Sequence, residues 1–184
     1  YEISQCDWSS DVCSSVLLYI TDNRGRLYKM SLSNGAVQGV TGAAASGTGC
    51  TITTSTASGW CTASVGASNG SNYGRLNAGQ AVTADANYIY VVDVAHRIAR
   101  YSKSTGAPAG FISALSGGTN LSTASGACNN ASWIAQAYPK ATPGWCVGTA
   151  LGVSLSFVAS SLEGGLNDPR GIWTDSARSE EHTS

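Results

Sequence analysis

Short runs of alternating apolar and polar residues, closed by Gly, Asp or Asn, recur along the chain. In the run 97–102, Ile98 and Arg100 alternate with Ala99 and Tyr101. Successive side chains of a β-strand point to opposite faces of the sheet, so this period of two is typical of strands. The pattern predicts four short strands in the middle of the chain, at 80–84, 88–93, 97–102 and 110–113. The Gly- and Asp-rich clusters between them indicate antiparallel hairpins.

This pattern is repeated elsewhere in the chain. Three pairs of segments match, each at its own offset: 18–39 with 89–110 at 71 residues, 59–61 with 144–146 at 85, and 76–85 with 166–175 at 90. Because the offsets differ, the sequence indicates a constant core unit separated by inserts of variable length.

A four-stranded unit that recurs along a chain is typical of a β-propeller, whose blades bury their faces by stacking on one another. The predicted fold is therefore all-β, a fragment of a β-propeller with about two to three four-stranded blades. In this prediction the propeller segment is 16–177, and the long inter-blade loops are the inserts at 43–73 and 114–163. Since a propeller needs about four to eight blades to close, open strand edges are expected on both sides.

Two runs resemble the NHL repeat of β-propellers. They are 166–172, Leu-Asn-Asp-Pro-Arg-Gly-Ile, and 89–101, Ile-Tyr-Val-Val-Asp-Val-Ala-His-Arg-Ile-Ala-Arg-Tyr. The family's pattern is roughly a Pro-x-Gly-Ile strand, a Tyr-Val-x-Asp strand and then Asn-His-Arg-Ile. Here His96, Arg97 and Ile98 keep the last three positions, and Ala95 stands at the Asn position. The resemblance implies an NHL-like propeller, although family units are usually about half as long as the units of this chain.

The two ends of the chain resemble translated sequencing-adapter DNA. The tail 178–184 can be encoded by AGA TCG GAA GAG CAC ACG TCT, and 11–15 by GAC GTG TGC TCT TCC. The second string is the reverse complement of an internal run of the first, and two unrelated protein ends have no reason to share that property. We therefore expect residues 1–15 and 178–184 to be artefact and exclude them from the fold prediction. The alternative is a natural N-terminal peptide with a loop between Cys6 and Cys13.

Composition and charge exclude several classes of protein. About half of the 184 residues are Gly, Ala, Ser or Thr, only 11% are charged, and the net charge is -1. The two ends hold five acids and one base, so without them the net charge becomes +3. This charge is spread over the repeats, and no nucleic-acid partner is predicted. No apolar run approaches the ~18 to 20 residues of a membrane span, so no span is predicted in this fragment.

The four cysteines that remain form two matching pairs, one in each insert. A long Ser/Gly-rich loop has little core of its own and needs a staple. We expect one disulfide per insert, Cys50 with Cys61 and Cys128 with Cys146, although spacing alone leaves the connectivity open. Free thiols are an alternative. Metal ligation is disfavoured because neither pair has C-x-x-C spacing, and no metal is predicted. Disulfides imply an extracytoplasmic location: periplasmic, cell-surface or secreted.

Aromatic and basic residues of the inserts and turns are the candidates for ligand binding. In a propeller, the loops between blades share one face with the loops that join the second strand to the third. The candidate binding residues expected on that face are Trp60, Trp133, Trp145, Arg24 and His96. The alternative for the tryptophans is that each ring packs against the adjacent disulfide.

Charged residues of the predicted turns have a structural interpretation. Asp22 with Arg26 and Asp93 with Arg97 recur at the same spacing, which is typical of charge-assisted hydrogen bonds that tie a hairpin turn. A catalytic His96 would need a partner and a substrate pocket, and no nucleophile motif accompanies it. We therefore predict no catalytic residue and no cofactor.

These patterns together predict a non-enzymatic binding scaffold. It belongs to an extracytoplasmic bacterial protein that presents disulfide-stapled loops to a protein or a carbohydrate. The alternative is a propeller enzyme of the lyase or lactone hydrolase type, with its acidic or His residues mostly in further blades. A third class is a structural spacer, which would carry no aromatic cluster on the insert face.

Overall fold

Two open β-sheets make up the described part of the chain. The computed structural model describes residues 17–66, 68–117, 127–128, 135–150, 155–162 and 165–174. Within these residues the fold is all-β and contains no helix, which confirms the predicted class. Neither sheet closes on itself there, so the propeller stays a prediction. The two suspected adapter ends and Trp133 lie outside the described residues.

The first sheet has five strands in the order β1-β2-β3-β5-β4. They are β1 (Leu17–Thr21), β2 (Arg26–Ser31), β3 (Val37–Thr48), β4 (Thr51–Thr53) and β5 (Thr56–Gly66). The second sheet has the order β10-β9-β8-β7-β6, with β11 also paired to β9. Its strands are β6 (Gly79–Ala84), β7 (Tyr88–Asp93), β8 (Arg97–Ser102), β9 (Pro108–Gly117), β10 (Lys140–Ala141) and β11 (Ser156–Val158).

The four strands predicted in the central unit are present as the antiparallel meander β6 to β9. β7 and β8 have the predicted bounds, and β9 is longer than predicted. Along β8 the side chains of Arg97, Ala99 and Tyr101 are buried, whereas those between them are half-buried. The period-two pattern therefore separates the two faces of this strand correctly.

The first insert consists mostly of strands, so the prediction of a long loop is wrong there, whereas the second insert contains only short strands among its described residues. Residues 43–66 lie almost entirely in β3, β4 and β5, and the second insert supplies β10 and β11 to the second sheet. Their Gly, Ser, Thr and Ala side chains carry little period-two signal, but their backbone N–H and C=O groups still need partners. The long β3 and β9 strands provide those partners.

Backbone pairing shows that the two inserts are structurally equivalent. Three pairs in the first sheet recur in the second: Val40–Cys61 as Phe111–Cys146, Ala43–Thr56 as Ala114–Ala141, and Ser46–Val65 as Gly117–Ser156. The first two recur at the offsets of 71 and 85 residues found in the sequence. β5 pairs with β3 in two stretches, 56–61 and 62–66, which correspond to the separate pairing of β10 and β11 with β9, and this explains the register shifts along β5.

The segment 166–172, predicted as the first strand of a third unit, forms no strand in the structure. A strand needs a neighbour to pair with, and none of the described residues provides one after it. Two residues after this segment, Thr174 lies beside β6, and its hydroxyl donates to the Ala84 carbonyl at 2.9 Å.

The main core lies between the two sheets. We call the side of the second sheet that packs on the first sheet its front, and we use the same word for the equivalent side of the first sheet. The opposite side of each sheet is its back. The back of the first sheet and the front of the second meet in one apolar cluster, which contains Tyr19, Leu27, Trp60, Leu76, Ile89, Val91, Ala99 and Tyr101. The sheets therefore bury their faces by stacking, as repeated units do.

Candidate binding site

Equivalent turns hold the Asp–Arg pairs in both sheets. Asp22 accepts hydrogen bonds from the backbone N–H groups of Arg24 and Arg26, and its carboxylate lies 2.5 Å from the Arg26 guanidinium. The Asp93–Arg97 pair has the same spacing and a distance of 2.8 Å. The side chains of the first pair are 24% exposed, whereas those of the second are 0% and 2% exposed. The same sequence motif thus closes a surface turn in one sheet and a buried turn in the other.

Hydrogen bonding shifts the pKa of Asp22. Burial alone would raise this pKa, but hydrogen bonds from Arg26 and Tyr28 outweigh burial and hold it below its ordinary value. The pKa of Tyr28 is raised, first by burial and then by its hydrogen bond to Asp22. The Asp22 carboxylate is therefore held ionised by the turn that it closes.

The buried Arg97 guanidinium anchors the segment that crosses between the sheets. It donates to four backbone carbonyls of that segment: those of Gly70, Ser71, Asn72 and Arg75. Its partner Asp93 accepts the backbone N–H of Asn77 at 2.9 Å. This pair is therefore a structural clamp between the two sheets.

The turns place Arg24 and His96 at one end of the sheets. Arg24 is exposed at the tip of its turn, and His96, at φ +57°, occupies the position that Gly25 has in the first sheet. The Nδ1 atom of His96 accepts the backbone N–H of Asp168 at 3.0 Å, and its carbonyl accepts the Ser113 hydroxyl at 2.7 Å. His96 thus connects its turn to neighbouring segments.

Trp60 packs against the apolar core between the two sheets. Its ring stacks on Tyr19 with centroids 6.2 Å apart, and the Lys29 ammonium lies 5.0 Å from the ring. Its indole N–H donates to the Lys103 carbonyl at 3.2 Å. Lys103 begins the turn at the far end of β8, so Trp60 does not lie with His96, which directly precedes β8.

Trp145 forms the equivalent cluster in the second sheet. The Arg100 guanidinium lies between two rings, 4.4 Å from that of Tyr88 and 4.3 Å from that of Trp145. Tyr90 contacts Trp145 with centroids 5.6 Å apart. Tyr19, Lys29 and Trp60 recur at the sequence offsets as Tyr90, Arg100 and Trp145. Each unit therefore carries one cation–aromatic cluster on its back face.

Both insert disulfides are present, and each includes the cysteine that directly follows a tryptophan. The Cα atoms of Cys50 and Cys61 are 4.9 Å apart, and those of Cys128 and Cys146 are 5.1 Å apart. The second cysteine of each pair is fully buried and lies beside β3 or β9. Two disulfides are typical of a protein from an oxidising environment.

A cleft of about 340 Å³ opens between the sheets, beside the Trp60 cluster. It is lined by Leu17, Tyr19, Lys29, Ala86, Asn87, Lys103 and Ser104. Trp60 lies behind this lining and contacts three of its residues: Tyr19, Lys29 and the Lys103 carbonyl. The cleft is therefore lined by an aromatic ring, an amide and two amines, and Trp60 of β5 packs behind them.

The charges around the cleft are ordered by hydrogen bonds. The Lys103 ammonium donates to the Asp85 carbonyl at 2.9 Å. The Asp85 carboxylate accepts the Tyr90 hydroxyl at 2.6 Å and the Asn87 backbone N–H at 2.7 Å. Burial opposes ionisation of Asp85, but these hydrogen bonds outweigh it and lower its pKa. Burial, followed by the Asp85 hydrogen bond, raises the pKa of Tyr90 to about 12.

One buried polar atom at this cleft has no partner among the described residues. It is the hydroxyl of Tyr19. Burial raises the pKa of this phenol, so it is a neutral donor at physiological pH. Unpaired buried hydroxyls are uncommon and mark a place where a water or a ligand group completes the hydrogen bonding.

The binding face predicted from the sequence is thus divided in the structure. Arg24 and His96 lie at the turn end, Trp60 and Trp145 brace the back faces, and Trp133 is outside the described residues. Sequence reasoning missed the cleft residues Tyr19, Lys29, Asn87 and Lys103. The repeat contained a signal for two of them, because Tyr19 and Lys29 match Tyr90 and Arg100 at the common offset.

In the described residues, no cluster of three or more His, Cys, Asp or Glu side chains is arranged to hold a metal ion. No described helix is long and apolar enough to cross a membrane. Comparison with protein-family models, curated proteins and solved structures gave no significant match. The site is therefore interpreted from its own geometry.

Proposed function

We propose that this chain is a non-enzymatic binding scaffold of an extracytoplasmic bacterial protein, built as an NHL-like propeller fragment, and that its cleft binds an acidic carbohydrate. The observation that carries this proposal is the cleft itself, in which Lys29 and Lys103 accompany Tyr19 and Asn87. Its volume of about 340 Å³ is in the range of small-ligand sites.

The chemistry of the lining favours a sugar that carries a carboxylate. Lysine ammonium groups pair with carboxylates, an asparagine amide donates to and accepts from hydroxyls, and an aromatic ring packs against the apolar face of a sugar. The residues that line the cleft include no Asp or Glu side chain to repel an anion. The Lys29 ammonium lies near the Trp60 ring, which restricts its position before any ligand binds.

Titration calorimetry with the full chain tests the proposal. The probes are an oligosaccharide of uronic acids and the matching neutral oligosaccharide. We expect the acidic sugar to bind and Lys29→Gln to weaken it by about tenfold or more, since a hydrogen bond to a charged group contributes about 1.5–3 kcal/mol.

The matched control is Arg24→Gln, which removes the same charge from an exposed position at the other end of the sheets. This variant should bind like the wild type. Equal losses in the two variants would indicate only a general charge effect. Absence of binding at ~1 mM acidic sugar would refute the proposal.

A further inference from the structure

The two outer faces of the stack are complementary copies of the interface buried inside it. In the internal interface, Ile89 and Val91 on the front of the second sheet are fully buried. Their equivalents on the front of the first sheet, at the offset of 71 residues, are Leu18 and Ile20. These two side chains are 42% and 39% exposed. The front of the first sheet thus presents the apolar pattern that the second sheet buries.

The back of the second sheet presents the other half of that interface. Inside the stack, the back of the first sheet contributes Tyr19, Leu27 and Trp60 to the core. Their equivalents on the second sheet are Tyr90, Ile98 and Trp145, all of which are half-buried. The back of the second sheet therefore carries residues equivalent to those with which the first sheet covers the front of the second sheet.

Among the described residues the first sheet also lacks an equivalent of β6, and a later segment of the chain matches β6 in sequence. In the second sheet, β6 pairs with β7 so that Val82 lies opposite Val91 and Thr83 opposite Tyr90. In the first sheet, β1 is the equivalent of β7 and forms an edge of the sheet. The sequence equivalent of β6 is 169–174, at the offset of 90 residues, and this segment forms no strand. Its Trp173 side chain is 84% exposed.

We propose that this chain associates with a second copy of itself head to tail. The front of the first sheet of one copy packs on the back of the second sheet of the other, and residues 171–174 of that other copy pair with β1. The internal register transferred by the two offsets places Ile172 opposite Ile20 and Trp173 opposite Tyr19. The contact repeats the internal interface, so it uses two different surfaces of the chain and leaves both free ends of a dimer able to continue.

Sedimentation velocity of the full chain over a range of concentrations tests this association. We expect the average mass to rise above the 18.8 kDa of one chain as concentration increases. Ile20→Lys should weaken the association about tenfold or more, because it places an ammonium in an apolar contact. The control is Leu32→Lys, at a residue that is 58% exposed in the turn between β2 and β3 and belongs to neither face. Circular dichroism checks that each variant is folded.

Mixing two blocked variants distinguishes head-to-tail association from a symmetric dimer. Ile20→Lys blocks the front face and Ile98→Lys blocks the back face, so each variant alone should be monomeric. Mixed together, each still provides one intact face, and they should form a dimer of twice 18.8 kDa and nothing larger. A wild-type chain that stays monomeric, or a mixture that yields no dimer, would overturn the proposal.

Discussion

The Asp–Arg turn motif has a different role in each of the two sheets, and the difference follows from how deeply the pair is buried. Asp22 and Arg26 close a turn at the surface, where water solvates both charges. Asp93 and Arg97 are buried, and the guanidinium of Arg97 also satisfies four carbonyls of the crossing segment. Because an unpaired buried charge is costly, the second pair is the more critical one.

Replacing Arg97 by methionine should therefore destabilise the fold strongly. The change leaves the buried Asp93 carboxylate without its counter-charge, and loss of one partner of such a pair costs about 3–5 kcal/mol. Arg26→Met is the matched control and should cost about 1 kcal/mol or less, because Asp22 stays hydrated. Urea unfolding followed by circular dichroism measures both. Similar losses of unfolding free energy in the two variants would contradict this account.

At the scale of elements, the repeat is larger than a four-stranded meander. Each unit also contains a Gly-Trp-Cys segment whose cysteine pairs with β3 or β9 and is linked by a disulfide. The tryptophan of that strand reaches a cation and a tyrosine on the meander. The insert is therefore an integral part of the unit and not an appendage.

The sequence allowed the meander strands to be predicted because their side chains differ between faces. β7 and β8 combine β-branched or aromatic residues with turn residues at both ends, and their bounds were predicted correctly. The insert strands were missed because Gly, Ala, Ser and Thr give no contrast between two faces. Their pairing depends on distant backbone groups of β3 and β9, which local sequence does not reveal.

The cleft was missed for a similar reason. Tyr19 and Lys29 lie on the first sheet, and Asn87 and Lys103 lie in turns of the second, so only the stacking of the sheets brings them together. The sequence identifies Trp60, Trp133 and Trp145 as candidate binding residues, with packing of each ring against the adjacent disulfide as the alternative. In the structure the half-buried rings of Trp60 and Trp145 each pack against a cation and a tyrosine of their own unit.

Loss of one disulfide should lower the free energy of unfolding measurably. The double substitution Cys50→Ala with Cys61→Ala frees the chain between two positions 11 residues apart. Disulfides typically contribute about 2–4 kcal/mol by restricting the unfolded chain. We expect the double variant to lose free energy of unfolding in that range in urea titrations. A variant as stable as the wild type would show that the bridge adds nothing to the pairing of β5 with β3.

At the scale of the whole molecule, the two sheets are joined by close backbone approaches as well as by apolar packing. Gly25 lies in the first turn at φ +76°, and a Cβ atom there would fall 2.0 Å from the Leu76 carbonyl oxygen. Leu76 belongs to the segment that leads into the second sheet and is fully buried. The stacking distance therefore depends on the absence of a side chain at this position.

Comparing Gly25→Ala with Gly35→Ala should separate the cost of a left-handed backbone conformation from the cost of a clash with Leu76. Both glycines have positive φ, +76° and +69°, but nothing lies within 4 Å of a Cβ added at Gly35. The Gly35 variant should cost about 1–2 kcal/mol for the left-handed conformation alone. The Gly25 variant should cost clearly more, because backbone must move between the sheets. Thermal unfolding by calorimetry measures the difference, and equal melting temperatures would argue against a tight junction here.

The equivalence of the inserts has a practical consequence. One excursion of the chain runs from Ala44 to Ser55, whose carbonyl accepts the Ala44 backbone N–H, and the equivalent excursion runs from Leu115 to its pairing partner Lys140. These excursions span 11 and 25 positions, yet both end in the same ladder. Doubling a loop costs only about 0.6 kcal/mol of closure entropy. We therefore expect either excursion to accept extra residues at a small cost in stability, which suits the chain to displaying a grafted peptide.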